Sequence, residues 1–293
     1  MTSDRKTFRI AAVQMDSGPD REANIEEAFC CIDDAAAAGA DVICLPEHMD
    51  VLPSMPAPND IDTVPGYLTH LMAEKAREHR VHIHAGSLYE QVGSGNRAAN
   101  TSVVIAPDGR VIASYRKLHM FDITLADGTQ IRESEEVTPG NGIVTVQTTL
   151  GTWGLAICYD LRFGELFRLL ALAGAQVIFV PANFTDPTGQ AHWEPLLRAR
   201  AIENGCYIVA TDQCGDKPRF KAHGHSLIID PWGQVLAEAG DEPETIFADI
   251  DLGYVDEVRA KLPSLANRRT DVYHLARSVE WADRTEMTEP DAR

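Results

Sequence analysis

The sequence predicts an α/β protein built as a four-layer α-β-β-α sandwich, two sheets back to back with helices on the outer faces. Two observations carry this expectation. Short apolar runs alternate with amphipathic stretches along the chain, the pattern of strands joined by crossover helices. No linker rich in Pro, Gly or Ser divides the 293 residues. They therefore read as one domain, 1–293, whose charged and weakly patterned tail begins at about Ser278.

The elements follow in order. Residues 8–15 read as a strand, and 24–38 as an amphipathic helix stopped by Gly39. Residues 41–45 form a short buried strand that runs into Pro46 and Glu47. A helix is expected over 67–80 and one strand over 81–89. Residues 101–106, the turn Pro107-Asp108-Gly109 and residues 111–115 have the signature of a hairpin. Residues 118–142 are irregular and polar, a long loop of the kind usually kept for function. Strands return at 143–147 and 152–157, followed by a helix at 165–173, a strand at 176–181, a helix at 193–204 and a strand at 206–211. A second hairpin spans 225–238 around Pro231-Trp232-Gly233. A strand at 245–250 and a short helix at 254–261 complete the pattern.

Composition narrows the function. Hydrophobic content of 44% and charged content of 24% are those of an ordinary globular protein. No apolar run approaches the ~18 residues of a membrane span, and the N-terminal MTSDRKTFRI has no apolar signal region, so a cytoplasmic location is expected. A net charge of −18 repels nucleic acid and anionic lipid, which argues against both as partners. An anionic small substrate then needs a local arginine or lysine. The six cysteines (Cys30, Cys31, Cys44, Cys158, Cys206 and Cys214) include no CxxC pair, so neither a disulfide framework nor a structural zinc site is indicated.

Several residues are candidates for chemistry. Cys158 follows an apolar strand and immediately precedes a stretch of helical spacing, GLAICYDLRFGEL. A thiol there meets unpaired backbone N–H groups, which lower its pKa and can hold an oxyanion. The alternative is core filling, the default for the other five cysteines. Glu47 ends DVICLPE, straight after a buried strand; it is either an exposed loop carboxylate or a desolvated general base with a raised pKa. Lys117 in SYRKLH closes the first hairpin and opens the long loop. The pairs His82/His84 and His223/His225 have spacings that put both rings on one strand face, without a third metal ligand nearby. His119 and His192 are possible partners for a cysteine, and spacing selects neither. GxSxG, GxxxxGK[ST], HExxH and a complete GxGxxG are all missing; the Gly-Ser-Gly at 93–95 lacks a third glycine.

Taken together, the segments ending at Glu47, around Lys117 and starting at Cys158 resemble the three signature segments of the nitrilase, or carbon–nitrogen hydrolase, superfamily. Their spacings agree, 70 residues from Glu47 to Lys117 and 41 from Lys117 to Cys158. AHWEPLLRARAIEN (191–204) and GHSLIIDPWG (224–233) agree as well. The resemblance implies an αββα sandwich paired into homodimers or larger oligomers, a Glu47–Lys117–Cys158 catalytic triad, and a supporting glutamate at Glu133, with Glu135 and Glu136 close by. It implies that the Tyr159 backbone N–H and Lys117 face the oxyanion, and that no metal or organic cofactor takes part. Cys-Tyr-Asp at 158–160 resembles the amidase and carbamoylase branches more than nitrilases proper, and 191–233 is most similar to the ω-amidases and deaminated-glutathione amidases. Their substrates are short amides with a distal carboxylate. By that resemblance Arg162 binds the carboxylate, the alternative being an ion pair at a helix start, and Trp193 lines the pocket or packs behind it. N-carbamoyl amino acid hydrolysis and nitrile hydrolysis on the same fold are the alternatives, and a non-catalytic binding or scaffold protein is the alternative from another class. The stretch 48–65, with Pro53, Pro56, Pro58 and Pro65, matches no pattern and borders the expected pocket mouth.

Overall fold

A computed structural model describes residues 7–52, 61–93, 97–124, 128 and 130–275. The tail from Ser278, residues 94 and 95 of the Gly-Ser-Gly, and residues 53–60 of the proline-rich stretch lie outside the described residues.

The first half winds β1 (Thr7–Gln14), α1 (Arg21–Ala37), β2 (Val42–Cys44), α2 (Tyr67–His79) and β3 (His82–His84). Strands β1, β2 and β3 pair in parallel, so each helix is the crossover that parallel pairing requires. Antiparallel strands β4 (Leu88–Gln91), β5 (Ala98–Ile105) and β6 (Val111–Arg116) extend the sheet, and β15 (Glu244–Asp251) closes its other edge against β1, giving seven strands. The second half repeats the device with β10 (Gly151–Leu155), α4 (Gly164–Leu172), β11 (Val177–Ala182), α5 (Asp186–Asn204) and β12 (Tyr207–Asp212), flanked by β9 (Thr145–Thr148), β13 (Leu227–Ile229) and β14 (Val235–Glu238) in a six-stranded sheet. Helix α6 (Leu252–Lys261) follows β15.

The strands are apolar on both sides because both sides are buried. In β1, Phe8, Ile10 and Ala12 face the inter-sheet core with Trp153, Leu155 and Phe179. The alternating Ala11 and Val13 face the outer core under α1 and α2, with Ile25, Ile32 and Met72. Helices α4 and α5 cover the second sheet through Phe167, Leu170 and Leu197. The result is the expected α-β-β-α sandwich.

Three local expectations need correction. The strand read over 81–89 is two strands, broken at Ala85-Gly86-Ser87. Gly86 is left-handed (φ 59°), and a Cβ there would meet the Pro46 carbonyl oxygen at 1.9 Å, so the break lets the backbone press against the residue before Glu47. The helix read from Trp193 begins a full turn and more earlier, at Asp186, because Pro187 fits a helix's first turn. The loop 118–142 contains a hairpin, β7 (Asp122–Thr124) with β8 (Gln130–Arg132), and the single-turn α3 (Glu133–Glu136).

Candidate active site

Open α/β sheets gather chemistry at the carboxyl ends of their strands. Here two sheets do so face to face. Glu47 lies three residues beyond β2, Lys117 directly follows β6, Cys158 lies three beyond β10, and Asn183 directly follows β11. All four, with Glu133 from α3, line one pocket that encloses about 740 Å³ of empty space, part of it open to solvent. Glu47 and Lys117 are 2% and 3% exposed, so two formal charges sit in a nearly dry site.

The polar contacts are dense. Lys117 Nζ donates to Glu47 Oε1 at 3.1 Å and to Glu133 Oε1 at 2.9 Å. Glu47 Oε1 also accepts from Asn100 Nδ2 at 2.8 Å, and its Oε2 accepts the Asn183 backbone N–H at 2.8 Å. The Cys158 thiol is hydrogen-bonded to the same carboxylate and faces the Asn183 N–H. Glu133 Oε2 accepts the Phe121 N–H at 2.6 Å, which ties α3 to the loop after Lys117.

These contacts set the charges. Burial pushes Glu47 up, but the Lys117 ammonium and the hydrogen bonds from Cys158 and Lys117 hold it below the ordinary carboxylate value. Burial opposes the charge on Lys117 too, yet Glu133 and Glu47 keep it protonated far beyond neutrality. Burial and then the Glu47 charge push the Cys158 thiol well up. Two expectations are thereby reversed. Cys158 does not open a long helix whose N–H groups stabilise a thiolate; it opens a five-residue 3-10 turn, Cys158–Arg162, and rests as a thiol. Glu47 rests as a carboxylate with a lowered pKa, because the Lys117 ammonium and the hydrogen bonds from Cys158 and Lys117 outweigh its burial.

Cys158 has φ 46°, in the left-handed region. A side chain there costs ~1–2 kcal/mol and turns sharply away from the line of β10. Asp160 holds the turn: its buried carboxylate accepts Tyr115 Oη at 2.7 Å, the Ile157 N–H at 2.9 Å and the His119 N–H at 3.1 Å, with His119 Nδ1 at 2.7 Å.

Tyr159 lines the pocket, its ring edge-on to Phe121 at 5.1 Å. Arg162 does not line it. Its guanidinium lies 5.4 Å from the Phe184 ring and 5.8 Å from the Tyr159 ring, with Nη1 3.3 Å from His192 Nδ1, and among the described residues it makes no ion pair. Trp193 is fully buried behind the wall; its ring packs on Phe184 at 5.0 Å and its N–H donates to the His225 carbonyl at 2.7 Å. Its chemistry is packing, and it does not reach the pocket. Of the neighbouring glutamates, Glu135 is exposed and Glu136 lines the pocket. His119 stacks on Phe163 at 3.6 Å, His84 on Phe179 at 4.9 Å, and His82 edges onto Trp153 at 5.0 Å.

Sequence reasoning missed Asn100, His48 and Asn183. Asn100 had a usable signal, since it is polar in the middle of a strand buried at every position. His48 stacks on Tyr89 at 4.8 Å, and burial lowers its pKa to about 4, so it is neutral at physiological pH. The Asn183 side-chain amide is buried in the pocket wall with no hydrogen-bond partner among the described residues. Among those residues, no helix is long and apolar enough to cross a membrane.

The chain is 41% identical over 268 residues to a deaminated glutathione amidase of Synechocystis sp., covering 90% of this chain and 98% of that protein. It is 36% identical over 269 residues to the omega-amidase NIT2 of Mus musculus, covering 91% and 97%. Among solved structures it superposes on the C. elegans NitFhit protein with a TM-score of 0.85 at 37% identity, over 92% of this chain and 67% of that one. Saccharomyces cerevisiae Nit3 gives 0.82 at 29% identity, over 90% and 97%. Residues 9–260 match the family model of the carbon–nitrogen hydrolases, and the chain belongs to that family.

Proposed function

We propose that the chain hydrolyses the C–N bond of a small carboxylate-bearing amide through a thioester on Cys158. The single observation that carries this is the meeting of a thiol, a carboxylate and an ammonium at one buried point, drawn from the strand ends of two sheets.

Each step uses a contact already described. Glu47 takes the Cys158 proton as the sulfur attacks the amide carbon, so thiolate forms only as the bond forms. Lys117 and the Tyr159 backbone N–H stabilise the oxyanion, and one such donor is typically worth ~3 kcal/mol. The tetrahedral intermediate collapses by breaking its C–N bond, Glu47 returns the proton, and ammonia leaves. Glu47 then deprotonates a water that attacks the thioester; the acid departs and the thiol is restored. Glu133 keeps Lys117 in place, and Asn100 and the Asn183 N–H fix both oxygens of the base. The chemistry is written with side chains and water alone.

Residues 1–293 act as one catalytic unit in this reading, because neither sheet carries all the groups. A homodimer is part of it too. Ile202 on α5 and Trp232 are both about half exposed, and Ile202 packs on Gly233, the residue after Trp232, where a Cβ would meet it at 2.5 Å. The cytoplasmic location remains part of the proposal, and six free cysteines suit a reducing compartment.

The test is ammonia release from α-ketoglutaramate, deaminated glutathione, N-carbamoyl amino acids and simple nitriles. The reading expects turnover of the first two. Carbon dioxide appearing with ammonia would transfer the assignment to the carbamoyl substrates, and turnover confined to nitriles would remove the amidase.

A further inference from the structure

The pocket has an anion problem. Glu47, Glu133 and Glu136 line it, on a chain of net charge −18, yet the substrate proposed above carries a carboxylate. Among the described residues, two cations line the pocket, Lys117 and Arg219. Lys117 is committed to Glu47 and Glu133. Arg162 stands outside the lining, its guanidinium laid against the rings of Tyr159 and Phe184.

Arg219 is different in each respect. Its side chain is 47% exposed where Lys117 is 3%, which places it at the mouth. It pairs with Glu136 through one contact at 3.5 Å, long for an ion pair and far from the two-pronged geometry a guanidinium can adopt. It also sits on a firm mount. The segment from Asp216 to Lys221 is a tight turn closed by a bridge between those two residues and by the Lys217 N–H on the Phe220 carbonyl at 2.7 Å. The buried Lys217 ammonium anchors the turn to Asp16 at 2.6 Å and to the Ser17 carbonyl at 3.2 Å. Lys221 is tied in turn to the start of α5, its carbonyl accepting the Asp186 N–H at 2.8 Å. The tip carrying Arg219 and Phe220 is therefore held over the pocket.

Resting on the hydrolase reading above, we propose that Arg219 is the specificity-determining cation. It takes the distal carboxylate of the substrate, which displaces Glu136 as its partner. Glu136 fills the arginine's charge when the pocket is empty and disfavours anions that do not reach Arg219. The substrate class is then a monoamide with a carboxylate at the far end of a short chain, and Arg162 packs outside the lining.

The experiment compares succinamate with butanamide, which differ in the terminal carboxylate. Ammonia release is followed for the wild type, Arg219→Gln, Arg162→Gln and Glu136→Gln. Succinamate binding is measured by calorimetry to Cys158→Ala and to Cys158→Ala/Arg219→Gln. Arg219→Gln is expected to lower kcat/KM for succinamate at least tenfold and to leave butanamide within twofold. Glu136→Gln is expected to lower KM for succinamate and leave butanamide unchanged. In the Cys158→Ala background, loss of Arg219 is expected to weaken succinamate binding at least tenfold. Equal losses on both amides, or selective loss in Arg162→Gln in place of Arg219→Gln, would overturn the assignment. If the wild type releases ammonia from neither amide and from none of the substrates named above, the hydrolase reading fails by itself, and the binding comparison still decides the role of Arg219.

Discussion

The Glu47 carboxylate accepts the backbone N–H of Asn183 at 2.8 Å. Glu47 follows β2 in the seven-stranded sheet and Asn183 follows β11 in the six-stranded one, so this bond, with those from Thr211 to the Leu45 carbonyl and Gln213 to the Glu47 carbonyl, joins the carboxyl edges of both sheets. The proposed base is thus positioned by the sheet that carries the proposed nucleophile, and the thiol meets the carboxylate only when the two layers are packed.

Cys158→Ala should lower kcat for ammonia release by about 10³-fold or more, as loss of a covalent nucleophile does. The circular dichroism spectrum and Tm should stay near wild type, since alanine keeps the Cβ and removes only the sulfur. Comparable turnover in this variant would disprove the assigned nucleophile.

Asn100→Ala removes one of the donors that orient Glu47. A hydrogen bond to a charged group contributes about 1.5–3 kcal/mol, and each 1.4 kcal/mol is a tenfold rate change. The expected result is a ten- to hundredfold loss in kcat with a smaller change in KM. Steady-state kinetics on one amide checks it; a change confined to KM would place Asn100 on the substrate instead.

Acid should disable the site before it unfolds the protein. Burial pushes Glu133 above its ordinary 4.5, with Glu47 adding to the shift, whereas Lys117 holds Glu47 below that value despite burial. Glu133 is then first to gain a proton as pH falls, and a neutral Glu133 loosens its hold on Lys117. The sign for stability is opposite. A carboxyl raised in the fold binds its proton more readily there than in the unfolded chain, so protonating Glu133 does not cost stability. The contribution of Glu47 is lost only below 4.5, as pH passes through its lowered value. Between neutrality and about pH 4.5, kcat/KM should fall while circular dichroism is unchanged. Glu133→Gln should move the acid limb to lower pH at a reduced plateau. His48, neutral down to about pH 4, adds no step in this range.

Asp160→Ala leaves the Tyr115 hydroxyl, the Ile157 N–H and the His119 N–H without their acceptor. Abandoned buried donors cost about 1–3 kcal/mol each. Thermal unfolding should come down by at least about 6 °C, and kcat should drop because the turn carrying Cys158 loses its tether to β6. A stable variant of normal activity would show that the turn holds itself.

The layered fold was legible because burial on both strand faces writes continuous apolar runs, and because α1 and α2 cross over as parallel strands demand. Glu47, Lys117 and Cys158 each directly or nearly follow such a run, which made them candidates; that they act together was implied by the resemblance of their three segments. What sequence did not reveal depends on contacts between distant segments. The break at Gly86 answers to Pro46, forty residues earlier. The charge state of Cys158 follows from burial and then from Glu47, which no spacing places beside it. Arg219 lies in a polar turn with no periodicity, and the anchors of Lys217 to Asp16 and of Lys221 to Asp186 hold that turn over the pocket. Arg162, near the nucleophile in sequence, stands outside the pocket lining, which its spacing from Cys158 does not show.

A sulfur stored in its protonated form has a further consequence. Peroxide attacks thiolates, and protonated, enclosed cysteines are poor targets. Cys158 is 8% exposed and its pKa is raised, so the resting protein should withstand oxidative stress that inactivates enzymes whose nucleophile waits as an anion. Its vulnerability is confined to the moment of turnover, when the proton has moved to Glu47 and the amide itself occupies the way in.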